Sequence, residues 1–283
     1  MTINERYEGT AEFTTNILKN GCAVRCKICP QQLLVREYKP DENVIHLSLE
    51  NFKIILNKIP KTYRIDFSGY AEPFLNKDCG KMIEYARDAG YDVCCYTTLV
   101  GASNEDVDIL STLSYSPICP LEIHLPDRGG VMPTKVTDKY RAILEYLISK
   151  EIPSITFMTM DRTGEVHPDL KDLVGQLGSF FIWSRADNVE NVYDGGRVNG
   201  EIICRAMPKL NHNVILPNGD VQLCCMDYGL RHTLGNLITD DHESLFKSEE
   251  FIRVKELMEN DSGESEEEIL CRFCELALPV VKH

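Results

Sequence analysis

Along the first two-thirds of the chain, polar and apolar positions alternate between two rhythms. Short apolar or β-branched runs recur at EFTTNIL, YRIDFS, YDVCCYTT, LEIHL, SITFMTM and SFFIW. Between them lie segments with apolar residues three and four apart: LENFKIILNKI, KDCGKMIEYARDAG, NEDVDILSTL, TDKYRAILEYLISK and the weaker HPDLKDLVGQL. Ser48 is placed to cap the first of these helices, and Asp88-Ala89-Gly90 to end the second. Six strands alternating with five helices predict a mainly parallel α/β sheet. The periodicity leaves an open doubly wound sheet and a partial barrel equally available. In both, sites form at the C-terminal ends of the strands.

The rhythm changes after about residue 186. NVILPNGDVQLCC predicts a hairpin turning at Asn218-Gly219, HESLFKSEEFIRVKELM an amphipathic helix, and CRFCEL follows near the end. A boundary is expected near residue 190, giving a domain over 1–190 and a smaller one over 191–283.

Composition narrows the function. With 283 residues and a net charge of −14, a broad nucleic-acid surface is not expected, because neutralising phosphates needs clustered Lys and Arg. ENDSGESEEEIL reads as a solvated acidic loop. No apolar run reaches membrane-spanning length, and the N-terminus has no secretory pattern, so a cytoplasmic protein without a membrane partner is expected. Twelve cysteines in such a chain point to metal sites more than to disulfides.

Three of them, Cys22, Cys26 and Cys29, fall in GCAVRCKIC directly after the first strand. Thiolates at such spacings suit an iron–sulfur cluster. Three would hold three irons of a [4Fe–4S] cube and leave the fourth open. A zinc site completed from elsewhere, or buried structural thiols, are the alternatives. A second set comprises Cys204, then Cys224 after the Gly219 turn, then Cys271 and Cys274. Four thiolates would close a cluster. Cys224 and Cys225 compete for one position; the spacing from Gly219 favours Cys224, and neighbouring strand residues face opposite ways. Cys79, Cys94, Cys95 and Cys119 show no ligand spacing and read as core or surface thiols.

The C-x3-C-x2-C loop after the first strand resembles the signature of the radical SAM superfamily. The resemblance implies a partial (β/α)6 barrel and S-adenosylmethionine on the open iron of a [4Fe–4S] cluster. It also implies reductive cleavage to a 5′-deoxyadenosyl radical and a reductant such as flavodoxin or ferredoxin. Ile28 stands where relatives carry an aromatic residue. Tyr70-Ala71-Glu72-Pro73 resembles the family's glycine-rich motif ending in Glu, which makes Glu72 the expected acceptor for the SAM ammonium. Thr98 replaces the Asn of a T-N-G turn, and His124 ends the fourth strand where relatives place a polar SAM contact. The second cysteine set resembles the SPASM extension, or its shortened twitch form, in a small α+β domain. Only ELALPVVKH follows Cys274 with its Glu, so one auxiliary [4Fe–4S] cluster is expected. SRADN, at the end of the sixth strand, resembles a segment of single-auxiliary-cluster dehydrogenases of the 2-deoxy-scyllo-inosamine type. It points to Arg185 as a substrate contact, better as a hydrogen-bond donor than as a base.

These readings favour an oxidoreductase that takes a carbon-bound hydrogen from a small polar, sugar- or cyclitol-like substrate. A radical enzyme modifying or epimerising a peptide is the second reading. An N-terminal peptide-recognition domain is not expected, since few residues precede the first strand. A non-catalytic iron–sulfur electron carrier is the third.

Overall fold

A computed structural model describes residues 6–161, 163–175, 177–179, 184–189, 196–260 and 268–280. Six parallel strands run in sequence order: β1 (Gly9–Phe13), β2 (Tyr63–Phe67), β3 (Val93–Thr97), β4 (Leu121–Leu125), β5 (Ile155–Thr159) and β6 (Gly178–Ser179). The connecting helices are α1 (Gln31–Tyr38), α2 (Leu49–Leu56), α3 (Cys79–Asp88), α4 (Asn104–Ser111) and α5 (Asp138–Ser149). This is the partial (β/α)6 barrel that the strand–helix alternation allows. Caps fall where the side chains demand them: Ser48 Oγ accepts from Asn51 N at 3.1 Å, and Ser103 with Asp106 closes a capping box.

Two predicted helices change. Among its described residues, HPDLKDLVGQL forms only a 3-10 turn, Pro168–Leu170, with Pro168 at its first position and Gly175 offering little helical propensity after it. The long C-terminal helix is two: α6 (His242–Leu245) and α7 (Glu249–Glu259). Ser248 breaks it by turning extended and capping Phe251 N at 3.2 Å.

The hairpin β8 (His212–Ile215) and β9 (Asp220–Gln222), preceded by β7 (Ile202–Cys204), does not stand apart. β8 pairs in parallel with β1, and β9 and β10 (Thr233–Asn236) extend the same sheet, making nine strands among the described residues. Gly219 makes the turn at φ +89°, and a Cβ there would lie 2.6 Å from Ile238. β7 pairs with β11 (Ala277–Pro279) in a separate ribbon. The boundary expected near residue 190 lies outside the described residues, as do most of SFFIW and the centre of the acidic loop.

The strands are half polar. Ala11, Phe13, Ile65, Phe67, Cys95, Leu121, Ile123 and Leu125 pack outward into the main core with the helices. Their neighbours Glu12, Arg64, Asp66, Tyr96, Glu122 and His124 face inward and line a central cavity. Among the described residues, no helix is long and apolar enough to cross a membrane.

Cys94 and Cys119 were expected to be thiols. Here they are joined as a disulfide, their Cα atoms 4.9 Å apart. No sequence spacing signals it, because the pair is brought together by β3 lying beside the segment that enters β4.

Candidate active site and cluster sites

Cys22, Cys26 and Cys29 occupy the loop between β1 and α1, at the C-terminal end of the strands. Local chemistry shapes the loop. Gly21 and Arg25 take positive φ, and Cys22 N donates to Gln31 Oε1 at 2.9 Å. The Gln31 amide then donates to Cys29 Sγ at 3.3 Å and to the Tyr70 carbonyl at 2.5 Å. One buried glutamine, which no motif flagged, thus ties the first and last cysteines to the second loop. Burial pushes the Cys22 thiol up to about 11, and the Cys26 thiol higher still, so a cation must offset that cost before either ionises. Ile28 faces the same cavity as the three thiols.

That cavity, of about 300 Å³, runs from the cysteine loop past Tyr70, Ala71 and Glu72 to Thr98 and His124. Glu72 is buried, and its carboxylate is already occupied. One oxygen accepts from Thr97 Oγ1 at 2.6 Å and Phe74 N at 3.1 Å; the other accepts from Thr98 N and Thr98 Oγ1, both at 2.6 Å. Burial nonetheless raises the carboxyl above its ordinary value. Thr98 is therefore tied directly to Glu72, and of these donors its hydroxyl is one that rotation can free for another partner. His124 Nε2 lies 2.6 Å from Glu122 Oε1, so it is not a lone strand-end histidine.

Tyr70 does more than the motif suggested. Its hydroxyl lies 2.9 Å from the carbonyl of Cys224 and 3.1 Å from that of Asp227. Its ring lies 4.6 Å from the Tyr228 ring, whose hydroxyl is 3.5 Å from Cys29 Sγ. Arg185, at φ +55°, turns into the central cavity. Its guanidinium lies 5.6 Å from the Tyr228 ring and 3.9 Å from Met226 Sδ. Burial opposes its charge, but Tyr228, Cys225, Cys29 and Glu12 together raise its affinity for the proton. The segment is held from near the C-terminal cysteines: Ser184 N and Oγ both donate to the Glu275 carboxylate.

The second cysteine set converges. Cys204, Cys224, Cys271 and Cys274 line one small apolar cavity with Met207, Met226 and Met258. Cys225 faces the central cavity instead, beside Arg185 and Tyr228. Four thiols around one apolar hollow suit a closed cluster, each iron taking one thiolate. Among the described residues no three His, Cys, Asp or Glu side chains close on a single metal ion. Arg272, between the last two cysteines, is buried and donates to the carbonyls of Val198, Gly200, Leu257 and Met258. His232 accepts from Leu270 N at 3.1 Å on Nε2 and meets Glu250 on Nδ1, so the proton sits on Nδ1.

Residues 204–275 match the SPASM family, an iron–sulfur cluster-binding domain. BtrN in complex with AdoMet and 2-DOIA superposes with a TM-score of 0.63 at 14% identity, covering 96% of this chain and 93% of that one. The fold is shared with that structure over nearly the whole chain. Native anSMEcpe with bound AdoMet gives a TM-score of 0.56 at 12% identity, over 95% of this chain and 88% of that one. Streptococcus suis SuiB bound to the precursor peptide SuiA gives 0.52 at 14%, over 96% of this chain and 70% of that one. No curated protein matches the chain.

What the sequence missed is the cavity floor. Glu12 accepts from His212 Nε2 at 2.9 Å, Ser68 Oγ at 2.6 Å and Gly69 N at 2.8 Å. Burial works against its charge, but these donors hold its carboxyl down at about 2. Arg64 pairs with Asp66, and burial outweighs that pairing to leave the Asp66 carboxyl raised. The available signal was the strict alternation in TAEFT, RIDFS and LEIHL. Polar residues at every second position are unusual for a parallel sheet covered on both faces.

Proposed function

We propose that this protein is a radical SAM oxidoreductase acting on a small polar molecule in the central cavity. One observation carries the reading: two cysteine sets face two separate cavities, and the one holding three thiols opens onto a floor of charged side chains. Cys22, Cys26 and Cys29 would hold the cluster that binds SAM. Cys204, Cys224, Cys271 and Cys274 would hold the auxiliary one. When bound, these groups supply abstraction of a carbon-bound hydrogen and an acceptor for the remaining electron. The protein's own part is positioning. Glu72 and Thr98 would receive the SAM amino group, with Ala71 and Ile28 packed nearby, and His124 stands further along the same wall. Arg185, fixed in its protonated form, would donate a hydrogen bond to a substrate hydroxyl; of the floor carboxylates Asp66, whose affinity for a proton burial raises, would receive the proton that this hydroxyl loses.

The peptide complexes of anSMEcpe and SuiB support a second reading, in which the substrate is a peptide. The charged, inward-facing floor favours the small polar substrate. The test is anaerobic reconstitution with SAM and dithionite, followed by mass spectrometry. The oxidoreductase reading expects 5′-deoxyadenosine together with a product two hydrogens lighter than the substrate. A product of unchanged mass with an inverted centre would replace it with epimerisation.

A further inference from the structure

Cys29 is surrounded differently from the other two thiols of its loop. Gln31 Nε2 lies 3.3 Å from its sulfur and the Tyr228 hydroxyl 3.5 Å. Cys22 Sγ meets a backbone amide, that of Glu72, at 3.5 Å. Among the described residues, no side-chain hydrogen bond reaches Cys22 Sγ or Cys26 Sγ. Gln31 also holds Cys22 N and the Tyr70 carbonyl, so it braces the loop. Tyr228 has no such second duty. It is 4% exposed, and among the described residues its hydroxyl has no other hydrogen-bond partner. A neutral thiol is a weak acceptor; an ionised sulfur offers only lone pairs and forms a stronger, charge-assisted bond. The pairing therefore suits Cys29 as a thiolate, with the phenol as donor. The Arg185 guanidinium, 5.6 Å from the centre of the Tyr228 ring, sets a positive charge against that ring. It draws electron density from the phenol and sharpens the O–H as a donor.

We propose that Tyr228 raises the reduction potential of the cluster held by Cys22, Cys26 and Cys29, by donating a hydrogen bond to the Cys29 sulfur. The proposal rests on the radical SAM reading of this loop and adds a positioning residue to it. Reduction brings one more negative charge to the cluster site, and hydrogen bonds to the sulfurs help to set such potentials. An O–H aimed at sulfur is worth more once that charge has arrived, so it favours the reduced form. Burial leaves the effect weakly screened. The surroundings call for such a donor. Glu12, Glu72 and Glu122 line the same cavity, and negative charge there opposes reduction. Tyr228 offsets part of that opposition at the sulfur itself. It does so from the turn that follows Cys224, so the segment carrying part of the second cysteine set acts on the first.

The test is an anaerobic redox titration of the reconstituted holoprotein, followed by electron paramagnetic resonance. The first cluster is identified as the one whose signal changes when SAM is added. Tyr228→Phe keeps the ring, its contact with Tyr70 and its place beside Arg185, and removes only the donor. The variant should need a lower potential for the same degree of reduction. A tenfold change in the reduction equilibrium is expected, which for one electron is about 59 mV. The auxiliary cluster, whose signal SAM leaves alone, should keep its potential. A second variant carries 3-fluorotyrosine at position 228, a stronger donor of nearly the same size, and should shift the first cluster upward. This arm decides the matter if Tyr228→Phe fails to hold its iron. An unmoved first cluster in a fully loaded Tyr228→Phe protein overturns the proposal. So does an equal shift of both clusters, or a fluorotyrosine protein with an unchanged or lower potential. If wild type has no cluster that responds to SAM, the radical reading falls and takes the proposal with it. If that cluster is present and its potential ignores position 228, the proposal alone falls.

Discussion

The hydroxyl of Tyr70 lies 2.9 Å from the carbonyl of Cys224, joining the loop after β2 to the hairpin that carries the second cysteine set. The tyrosine belongs to a motif expected to face SAM and lines the central cavity, yet its phenol ends on the backbone of Cys224 and Asp227. Through the Tyr228 ring, it also stands one residue from Cys29. The two cysteine sets, distant in sequence, are thus linked by two phenols in tilted contact.

Tyr70→Phe tests how far this link is structural. It removes a donor from two buried carbonyls, those of Cys224 and Asp227, while keeping the ring. The expected cost is about 1–3 kcal/mol in anaerobic urea unfolding. An unchanged midpoint would mean that solvent replaces the phenol at both carbonyls.

Iron content tests the division of cysteines. Reconstituted protein should hold about eight irons in two [4Fe–4S] clusters, and replacing Cys22, Cys26 and Cys29 with Ala should leave about four. Because Cys224 and Cys225 face different cavities, Cys224→Ala should lose the auxiliary cluster and Cys225→Ala should keep it. Equal iron in these two variants would contradict the geometry.

The barrel and both cysteine sets could be read from the sequence because each leaves a local trace: strand–helix alternation, a cap such as Ser48, a cysteine spacing, a turn such as Asn218-Gly219. The floor could not. Glu12, Asp66 and His212 come from three strands, and the sheet brings them together only after pairing fixes the register. The same holds for the Cys94–Cys119 disulfide and for Glu275 holding Ser184. Arg272 was hidden for another reason: a charged residue between two cysteines reads as exposed until the carbonyls that surround it are known.

The Glu12–His212 pair predicts a pH dependence. Glu12 raises the His212 pKa above its ordinary 6.5 although burial opposes the charge. The folded state therefore holds the proton more tightly. The resulting stability is full below about pH 6.5 and is lost as pH rises through the higher folded value. Glu12, held at about 2, stays ionised across that range. Urea midpoints of anaerobic holoprotein from about pH 6 to about pH 9 should fall, at most by about 1.4 kcal/mol per pH unit from this group. His212→Gln should remove this component. A variant with the wild-type slope would place the titration elsewhere.

Glu72→Gln should weaken SAM binding by about 1–3 kcal/mol, since a neutral amide replaces the charged acceptor and turns one oxygen into a donor. Both clusters should remain. Because Glu72 also braces Thr97 and Thr98, thermal stability is measured beside the SAM titration. Unchanged SAM affinity with lowered stability would confine Glu72 to bracing that turn.

Cys271 and Cys274 separate SAM cleavage from substrate oxidation. Both line the apolar cavity and neither lines the central one, so changing them to Ala leaves the Cys22, Cys26 and Cys29 loop intact. Dithionite should still cleave SAM to 5′-deoxyadenosine in the double variant. On the proposed oxidoreductase reading, substrate oxidation should fall steeply, because the electron left after hydrogen abstraction would lose its nearby acceptor. Folding is the confounder. The segment also carries Arg272 and Glu275, which hold the surrounding loops and Ser184, and small cluster-binding domains depend on their metal. Far-UV circular dichroism and the iron of the first cluster must therefore match wild type before turnover is compared. If a folded double variant still makes full product, the auxiliary cluster is structural. Arg185, held by the same segment, would then serve a redox-neutral reaction such as epimerisation, in which the hydrogen is returned and no electron leaves the cavity.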